Sequence, residues 1–189
     1  DGTLLRHFGT EPPVNAGWGR FMYGLKQAFN IDVIADPKLN YHGSVDRAIL
    51  YDIAMRHGIT KKEFDKKFDV VKAAVIEYAH TREVTQIYEA IPDAIELLAE
   101  LCNKPADYLL GILKGNVDIM SLLNLKHFGV DPAWFSVFVT SDEFEDRISL
   151  AKSTFAKVKK ELGLVISPSH TIVIGDAVGD VRCAMAIGA

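Results

Sequence analysis

Apolar and polar positions along the second half of the chain predict strands and helices in strict alternation. Short apolar runs suited to buried strands occur at residues 107–113, 135–140 and 171–175, and stretches with helical character occur at 116–129, 149–163 and 180–188. Strands that alternate with helices indicate a parallel sheet with helices packed on its faces. This half of the chain is therefore predicted to form an α/β domain.

The first half has a different pattern. Residues 15–90 contain much helical periodicity and no convincing strand pair, whereas residues 91–102 resume the α/β pattern. In the helix predicted over 60–80, apolar residues recur on one stripe, namely Phe64, Phe68, Val71, Val75 and Tyr78. Thr60 and Glu63 are spaced as a capping box at its start. The pattern predicts a helical insertion within an α/β domain.

Composition and charge narrow the class of protein. The chain has 189 residues, 49% of them apolar, and a net charge of −4, which is typical of a soluble globular protein and unlike a nucleic-acid binder. No apolar run approaches the roughly 18 residues of a membrane span, and no signal pattern is visible. Two cysteines without metal-ligand spacing favour a reduced, cytoplasmic setting. We expect a monomer or homodimer with neither a nucleic-acid nor a membrane partner. The abrupt ends, DGTLL and AMAIGA, suggest part of a longer protein.

Charged and polar residues follow the predicted strands at the positions where α/β sheets bind ligands. They are Asp1 at the start of the chain, Lys114, Gly115 and Asn116 after the first run, Arg147 beyond the second, and Asp176 and Asp180 after the third. Acids and bases gathered at one edge suit a hard divalent cation together with a phosphate.

This set of residues resembles the four motifs of the haloacid dehalogenase-like (HAD) hydrolases, above all their phosphatases of the phosphoglycolate phosphatase type. Asp1-Gly2-Thr3 resembles the second half of motif one, Leu113-Lys114-Gly115-Asn116 motif two, Arg147 (with Lys152 in reserve) motif three, and Gly175-Asp176 with Asp180 motif four. Four motifs in order, with a helical insertion between the first two, are far more specific than any one of them.

The resemblance implies a fold and a division into domains. The fold would be a Rossmann-like parallel-sheet HAD core with an α-helical cap inserted after the first strand. Residues 1–14 would begin the core with its first strand missing, residues 15–90 would form the cap, and residues 91–189 would continue a core truncated at its C-terminal end. In this family the cap closes over the leaving group, so the loop at residues 41–46 is interpreted as a contributor to specificity.

The resemblance also implies a chemistry for the acids. In this family the first aspartate of motif one attacks phosphorus and forms an aspartyl-phosphate, and here it would lie two residues before Asp1. Asp1 would protonate the leaving alcohol, activate water and ligate Mg²⁺ through its carbonyl. Asp176 would be a direct Mg²⁺ ligand, while Asp180 would hold metal-bound water or orient the basic residue.

The remaining motif residues would bind the phosphate. Arg147 would neutralise phosphate charge in the transition state, and Lys114, Gly115 and Asn116 would contact the substrate. The resemblance thus implies a Mg²⁺-dependent phosphatase that acts on a small phosphorylated metabolite. Without the nucleophile, the printed chain is expected to show no turnover.

Lys114 leaves an alternative open, because the family usually has threonine or serine there. A lysine could hold phosphate, or it could pair with the acids and displace the metal. The second case predicts a catalytically impaired binding or regulatory protein with the same fold. Dehalogenation is disfavoured by the full acidic set, and phosphonate cleavage by the lack of a cap lysine in apolar surroundings.

Overall fold

The computed structural model describes residues 2–7, 13–34, 36, 38–39, 41, 44–80, 88–116, 125–126, 128–141, 144 and 146–189. Its strands are β1 (Leu5–His7), β2 (Tyr88–Ala90), β3 (Gly111–Lys114) and β4 (Val137–Thr140). Its helices are α1 (Pro13–Phe29), α2 (Asp46–Arg56), α3 (Lys61–His80), α4 (Ala94–Cys102), α5 (Arg147–Leu162) and α6 (Val178–Ile187). Within these residues, none of the helices combines the length and apolarity needed to cross a membrane.

Strands β3 and β4 form the parallel pair at the centre of the α/β part. Gly111 pairs with Val137 and Lys114 pairs with Thr140, so both strands end at the same edge. Val137 and Val139 are buried and pack against Leu150 on α5. The predicted α/β class with a parallel sheet is confirmed. Strand β3 begins later than the predicted run at 107–113, since residue 107 is in a turn and residues 108–110 have no regular secondary structure.

Helices α1, α2 and α3 pack together and are called the helical layer below. They bury one apolar cluster of their own, centred on Phe64, whose ring lies near those of Phe29, Tyr51 and Phe68. The stripe predicted for α3 is buried at Phe64, Phe68, Val71 and Val75, while Tyr78 is partly exposed. The helical insertion is thus present, and its standing as a separate cap domain stays a prediction.

Two short antiparallel strands, β1 before the helical layer and β2 after it, pair with each other. The sequence pattern did not predict this pair. Strand β1 pairs with β2 through Leu5 and Ala90 and through Arg6 and Glu89. The Ile91 amide continues the contact by donating to the Leu4 carbonyl at 2.9 Å. Strands of three residues are too short for an alternating pattern to stand out, so only tertiary pairing reveals them.

The predicted buried strand at residues 171–175 is wrong in this structure. The segment has no regular secondary structure and pairs with no described strand, and Ile172 and Ile174 are 85% and 70% exposed. A strand needs a hydrogen-bonded neighbour, and the described strands β3 and β4 pair with each other instead. The helix predicted at residues 116–129 falls mostly outside the described residues, although residues 125 and 126 are helical.

The helical layer meets the sheet at the end of β3. Val45 is buried in the same cluster as Val137 and Val139, and the Asp46 amide donates to the Gly115 carbonyl at 2.7 Å. A side chain at position 115 would place its Cβ 2.9 Å from the Ser44 carbonyl oxygen, so this close approach requires glycine. The contact brings the layer over the edge where the predicted site residues lie.

Candidate active site

A cavity of about 230 Å³ lies between the helical layer and the C-terminal end of β3. It is lined by Arg20, Ser44, Asp46, Ile49, Lys114, Gly115, Asn116, Arg147, Asp176, Ala177 and Asp180. Three segments predicted from sequence therefore meet here, those after β3, at the start of α5 and before α6. Asp1, the remaining predicted site residue, lies outside the described residues. A smaller cavity on the helical layer contains no predicted site residue.

Asp176 lies against the segment that follows Asp1. The Thr3 hydroxyl donates a hydrogen bond to Asp176 Oδ1 at 3.0 Å. Gly2 has a φ of +86°, and a side chain there would collide with the Asp176 carboxylate. A non-glycine residue would be both strained and blocked at this position. The Gly-Thr half of motif one and the aspartate of motif four are thus adjacent in space.

Arg147 enters the cavity because α5 begins at that residue. The Asp146 carboxylate accepts hydrogen bonds from the amides of Ile148 at 2.9 Å and Ser149 at 2.8 Å, which caps the helix. The hydrogen bonds from Ser149 lower the pKa of Asp146 from its ordinary value, keeping the cap charged. Arg147 therefore lines the cavity, whereas Lys152, the reserve candidate, is exposed farther along α5.

Asp180 joins Arg147 to the start of α6. Its Oδ1 lies 2.8 Å from Arg147 Nη2, and its Oδ2 accepts a hydrogen bond from the Ala177 amide at 3.0 Å. Both side chains are largely buried, at 22% and 11% exposure for Arg147 and Asp180. Since both carboxylate oxygens are already engaged, the geometry favours the role of orienting the basic residue over direct metal ligation.

Lys114 lies in an unusual electrostatic environment at the end of β3. Burial and, to a smaller extent, the nearby Arg20 lower the pKa of its ammonium group, Asp46 opposes them, and the net result is a pKa of about 8. A substantial fraction of Lys114 would therefore be neutral just above physiological pH. Both of these charged residues belong to the helical layer, Arg20 to α1 and Asp46 to α2.

Arg20 and Asp46 extend the site beyond the motifs. Arg20 Nη2 lies 2.9 Å from Asp46 Oδ1, and the side chains are 16% and 3% exposed. The Asn116 side-chain oxygen, in the orientation that satisfies both its polar atoms, accepts from Arg20 Nη1 at 3.1 Å and Nη2 at 3.0 Å. Asp46 falls in the 41–46 loop that sequence singled out for specificity. The sequence analysis did not predict Arg20 as a site residue. The sequence feature that could have indicated it is a charged residue beside Trp18 and Phe21 on a helix with apolar character.

The donor set around Asp176 fits a hard cation. The carboxylate is exposed at the cavity and, among described residues, accepts a hydrogen bond from the Thr3 hydroxyl. Carboxylate and carbonyl oxygens are the ligands that Mg²⁺ takes in proteins. Within the described part of the chain, no group of three or more His, Cys, Asp and Glu side chains is placed to hold a metal.

A parallel α/β core with a helical layer over its strand ends, and a cavity lined by acids and bases at that edge, is the architecture of a Rossmann-like α/β domain with a ligand site at its strand ends. The chain belongs to the haloacid dehalogenase-like hydrolase family, whose model matches residues 1–188.

A crystal structure of a hydrolase from Pseudomonas syringae is similar, with a TM-score of 0.57 and 21% sequence identity. The match covers 98% of this chain and 77% of that one, and at this identity it bears on the fold alone. Comparison with the curated proteins gave no match.

Proposed function

We propose that this protein is a Mg²⁺-dependent phosphatase that hydrolyses a phosphomonoester of a small metabolite. The observation that carries the proposal is the shared cavity, where Asp176 and the Arg147–Asp180 pair meet the residues after β3. Its volume of about 230 Å³ is below the ~300 Å³ at which pockets for drug-sized ligands begin, so it suits a small ester. We place the protein among phosphatases of the phosphoglycolate phosphatase type, with the helical layer as the cap.

Each acidic residue would have a different role in the reaction. Asp176, with the carbonyl of Asp1, would hold Mg²⁺, and the bound ion would offset negative charge on the phosphoryl oxygens. The Asp1 carboxyl would give its proton to the leaving alcohol and then take one from the attacking water. An aspartate two residues before Asp1 would attack phosphorus and carry the phosphoryl group between these two steps.

The bases and amides would hold the phosphoryl group. Arg147, fixed by Asp180, presents a guanidinium whose fork matches two phosphate oxygens. Asn116 and the backbone of Gly115 line the same cavity and would position the ester. Lys114 would add a positive charge while protonated, which its pKa of about 8 permits at neutral pH. A rigid arrangement of this kind stabilises charge that develops in the transition state.

The test is phosphate release by the natural protein that carries the upstream aspartate, against a panel of small phosphate esters with Mg²⁺ or EDTA. We expect turnover with Mg²⁺, loss of turnover with EDTA, and loss in Asp176→Asn. Asp107→Asn, an exposed acid outside the cavity, is the matched control and should keep wild-type turnover. Folded protein that releases no phosphate from any ester would overturn the proposal.

A second candidate function is a binding or regulatory role on the same fold, and the position of Lys114 favours it. Lys114, at the end of β3, interacts electrostatically with Arg20 and Asp46 of the helical layer, where the family has a hydroxyl to contact phosphate. Under this reading Lys114→Thr would gain turnover that the natural protein lacks. Turnover in the natural protein would exclude it.

A further inference from the structure

The cavity contains a nucleophile of which the proposed phosphatase chemistry uses only the positive charge. Lys114 is the last residue of β3 and lines the cavity together with Asn116 and Arg147. The residue is half-buried, so its amine is withdrawn from bulk solvent but can be reached by a small molecule in the cavity. An amine in such a position can form a covalent bond as well as an ion pair.

The packing of α5 on the parallel strands holds a phosphate-binding group near this amine. Arg147 begins α5, and Leu150 lies one turn after it. Leu150 and Leu113, the neighbour of Lys114, pack in the same apolar cluster. A phosphoryl group bound to the Arg147 guanidinium would therefore share the cavity of about 230 Å³ with the Lys114 amine.

The electrostatic surroundings of Lys114 favour the neutral, nucleophilic form of its amine. Burial and the nearby Arg20 lower its pKa, Asp46 opposes them, and the net pKa is about 8. Among the described residues, the other charged side chains that line the cavity are those of Arg147, Asp176 and Asp180. A lysine that is desolvated beside another cation is an activated nucleophile, because a larger fraction of it is unprotonated.

An acyl phosphate matches both parts of this arrangement. Its phosphoryl group is an anion that suits Arg147, and its carbonyl carbon is joined to phosphorus through a single bridging oxygen. The amine of Lys114 would attack the carbonyl carbon, so that a C–N bond forms and the C–O bond to the phosphoryl group breaks. Phosphate leaves with the bonding electron pair and takes up the proton that the nitrogen loses. The products are an amide and hydrogen phosphate.

We propose that Lys114 is a modification site, at which the side-chain amine accepts the acyl group of a small acyl phosphate bound in the cavity. Acylation replaces the ammonium charge by a neutral amide. The modified protein would hold anions less tightly in the cavity, so the reaction would regulate the binding of phosphate esters. The inference rests on phosphate binding, which the proposed function also requires, and it does not depend on hydrolysis.

The experiment treats the natural protein that carries the upstream aspartate with acetyl phosphate at pH 8. EDTA is present, so that Mg²⁺-dependent hydrolysis does not consume the reagent. Peptide mass spectrometry follows the acetylated fraction of each lysine with time, and the exposed Lys152 is the internal control. We expect Lys114 to be acetylated about 10-fold faster than Lys152, the effect of a larger unprotonated fraction.

Two further measurements test whether phosphate binding directs the reaction. Excess inorganic phosphate should slow the acetylation of Lys114 and leave that of Lys152 unchanged. Arg147→Met should slow acetylation of Lys114 by acetyl phosphate about 10-fold, the usual effect of losing a charged hydrogen bond. The same variant should react normally with acetyl N-hydroxysuccinimide ester, which has no phosphate, and this shows that Lys114 keeps its environment. Arg56→Met, outside the cavity, is the matched control and should keep both wild-type rates.

The outcomes separate this inference from the proposed function. Acetylation of Lys114 no faster than that of Lys152, or a rate that either excess phosphate or Arg147→Met leaves unchanged, would overturn the inference. Phosphate-directed acetylation of a protein that hydrolyses no ester supports the inference, while the phosphatase proposal fails alone. Mg²⁺-dependent turnover without preferential acetylation of Lys114 would overturn the inference and leave the phosphatase proposal standing.

Discussion

Nη2 of Arg147 lies 2.8 Å from Oδ1 of Asp180, and this ion pair joins the first residue of α5 to the first turn of α6. The same carboxylate accepts from the Ala177 amide, while Cys183 donates a weak hydrogen bond to the Arg147 carbonyl at 3.3 Å. A largely buried pair with such extra hydrogen bonds fixes side-chain direction, which an exposed ion pair does not. The pair therefore sets where the guanidinium points in the cavity.

If Arg147 binds the phosphoryl group, its loss should act on the transition state. We expect Arg147→Met to lower kcat/KM about 100- to 1,000-fold, the effect of removing one such electrostatic group. Asp180→Asn should cost less, on the order of tenfold, because it loosens the guanidinium without removing it. Steady-state kinetics on the preferred ester, with each single variant and the double variant, gives the coupling between the two residues.

Lys152→Met separates the two candidates for the third motif. Lys152 is exposed on α5 and outside the cavity, so its loss should change kcat/KM less than twofold, within the usual range of surface changes. A larger loss in Lys152→Met than in Arg147→Met would contradict the assignment.

Metal binding at Asp176 predicts a thermodynamic effect that needs no substrate. A ligand that binds only the folded state raises stability, by about 2.7 kcal/mol at 100 times its Kd. We expect Mg²⁺ to raise Tm of the natural protein and EDTA to reverse the rise. Asp176→Asn should abolish the shift, while Asp107→Asn should retain it. An unchanged Mg²⁺ shift in Asp176→Asn would place the ion elsewhere.

Lys114 predicts a pH dependence of stability whose sign follows from its depressed pKa. In the folded state the pKa is about 8, whereas an unfolded lysine titrates near 10.4. Between these values the unfolded state binds more protons, so the free energy of unfolding contributed by Lys114 rises as pH increases. Below pH 8 the buried charge of Lys114 lowers the free energy of unfolding by its full amount, and above pH 8 this destabilisation decreases.

Denaturant unfolding of wild type and Lys114→Met at several pH values from 7 to 10 measures this effect. We expect the variant to be more stable at pH 7, by on the order of 2 kcal/mol, and the difference to shrink steadily toward pH 10. Groups that titrate alike in both proteins cancel in the comparison. A difference that stays constant over this range would show that the lysine pKa is not depressed.

Local patterns predicted most of the helical layer because helices carry their signal in nearby residues. The capping box predicted at Thr60 is present, with its amide donating to Glu63 at 2.9 Å and its hydroxyl accepting from the Glu63 amide at 3.3 Å. The parallel pairing of β3 and β4 followed from the alternation of elements. Such features depend on spacing within one segment, which a sequence displays directly.

The features that sequence missed depend on contacts between distant segments. Strand β1 pairs with β2 across more than 80 residues, and Arg20 meets Asn116 across more than 90. No local period marks either contact. The apolar run at 171–175 is the opposite case. Its composition predicts a strand, but no described strand pairs with it. The motif residues and the 41–46 loop could be assigned to the site from sequence, while the contribution of Arg20 on α1 could not.

Gly115→Ala tests whether the contact between the helical layer and β3 shapes the cavity. The new Cβ would lie 2.9 Å from the Ser44 carbonyl oxygen and 3.4 Å from the Val45 Cα, both backbone atoms that cannot rotate away. We expect a loss of about 1–3 kcal/mol in the free energy of unfolding, typical of overpacking, and a raised KM as the layer moves off the cavity.

Gly58→Ala supplies the contrast to Gly115→Ala. Gly58 has a φ of +81° and no described atom within 4 Å of an added Cβ, so its substitution strains only the local backbone. It should cost about 1 kcal/mol of stability and leave KM unchanged. Because both variants add one methyl group, a KM effect confined to Gly115→Ala would assign it to the contact with Ser44. Wild-type stability and KM in Gly115→Ala would mean that the helical layer does not close the cavity at this point.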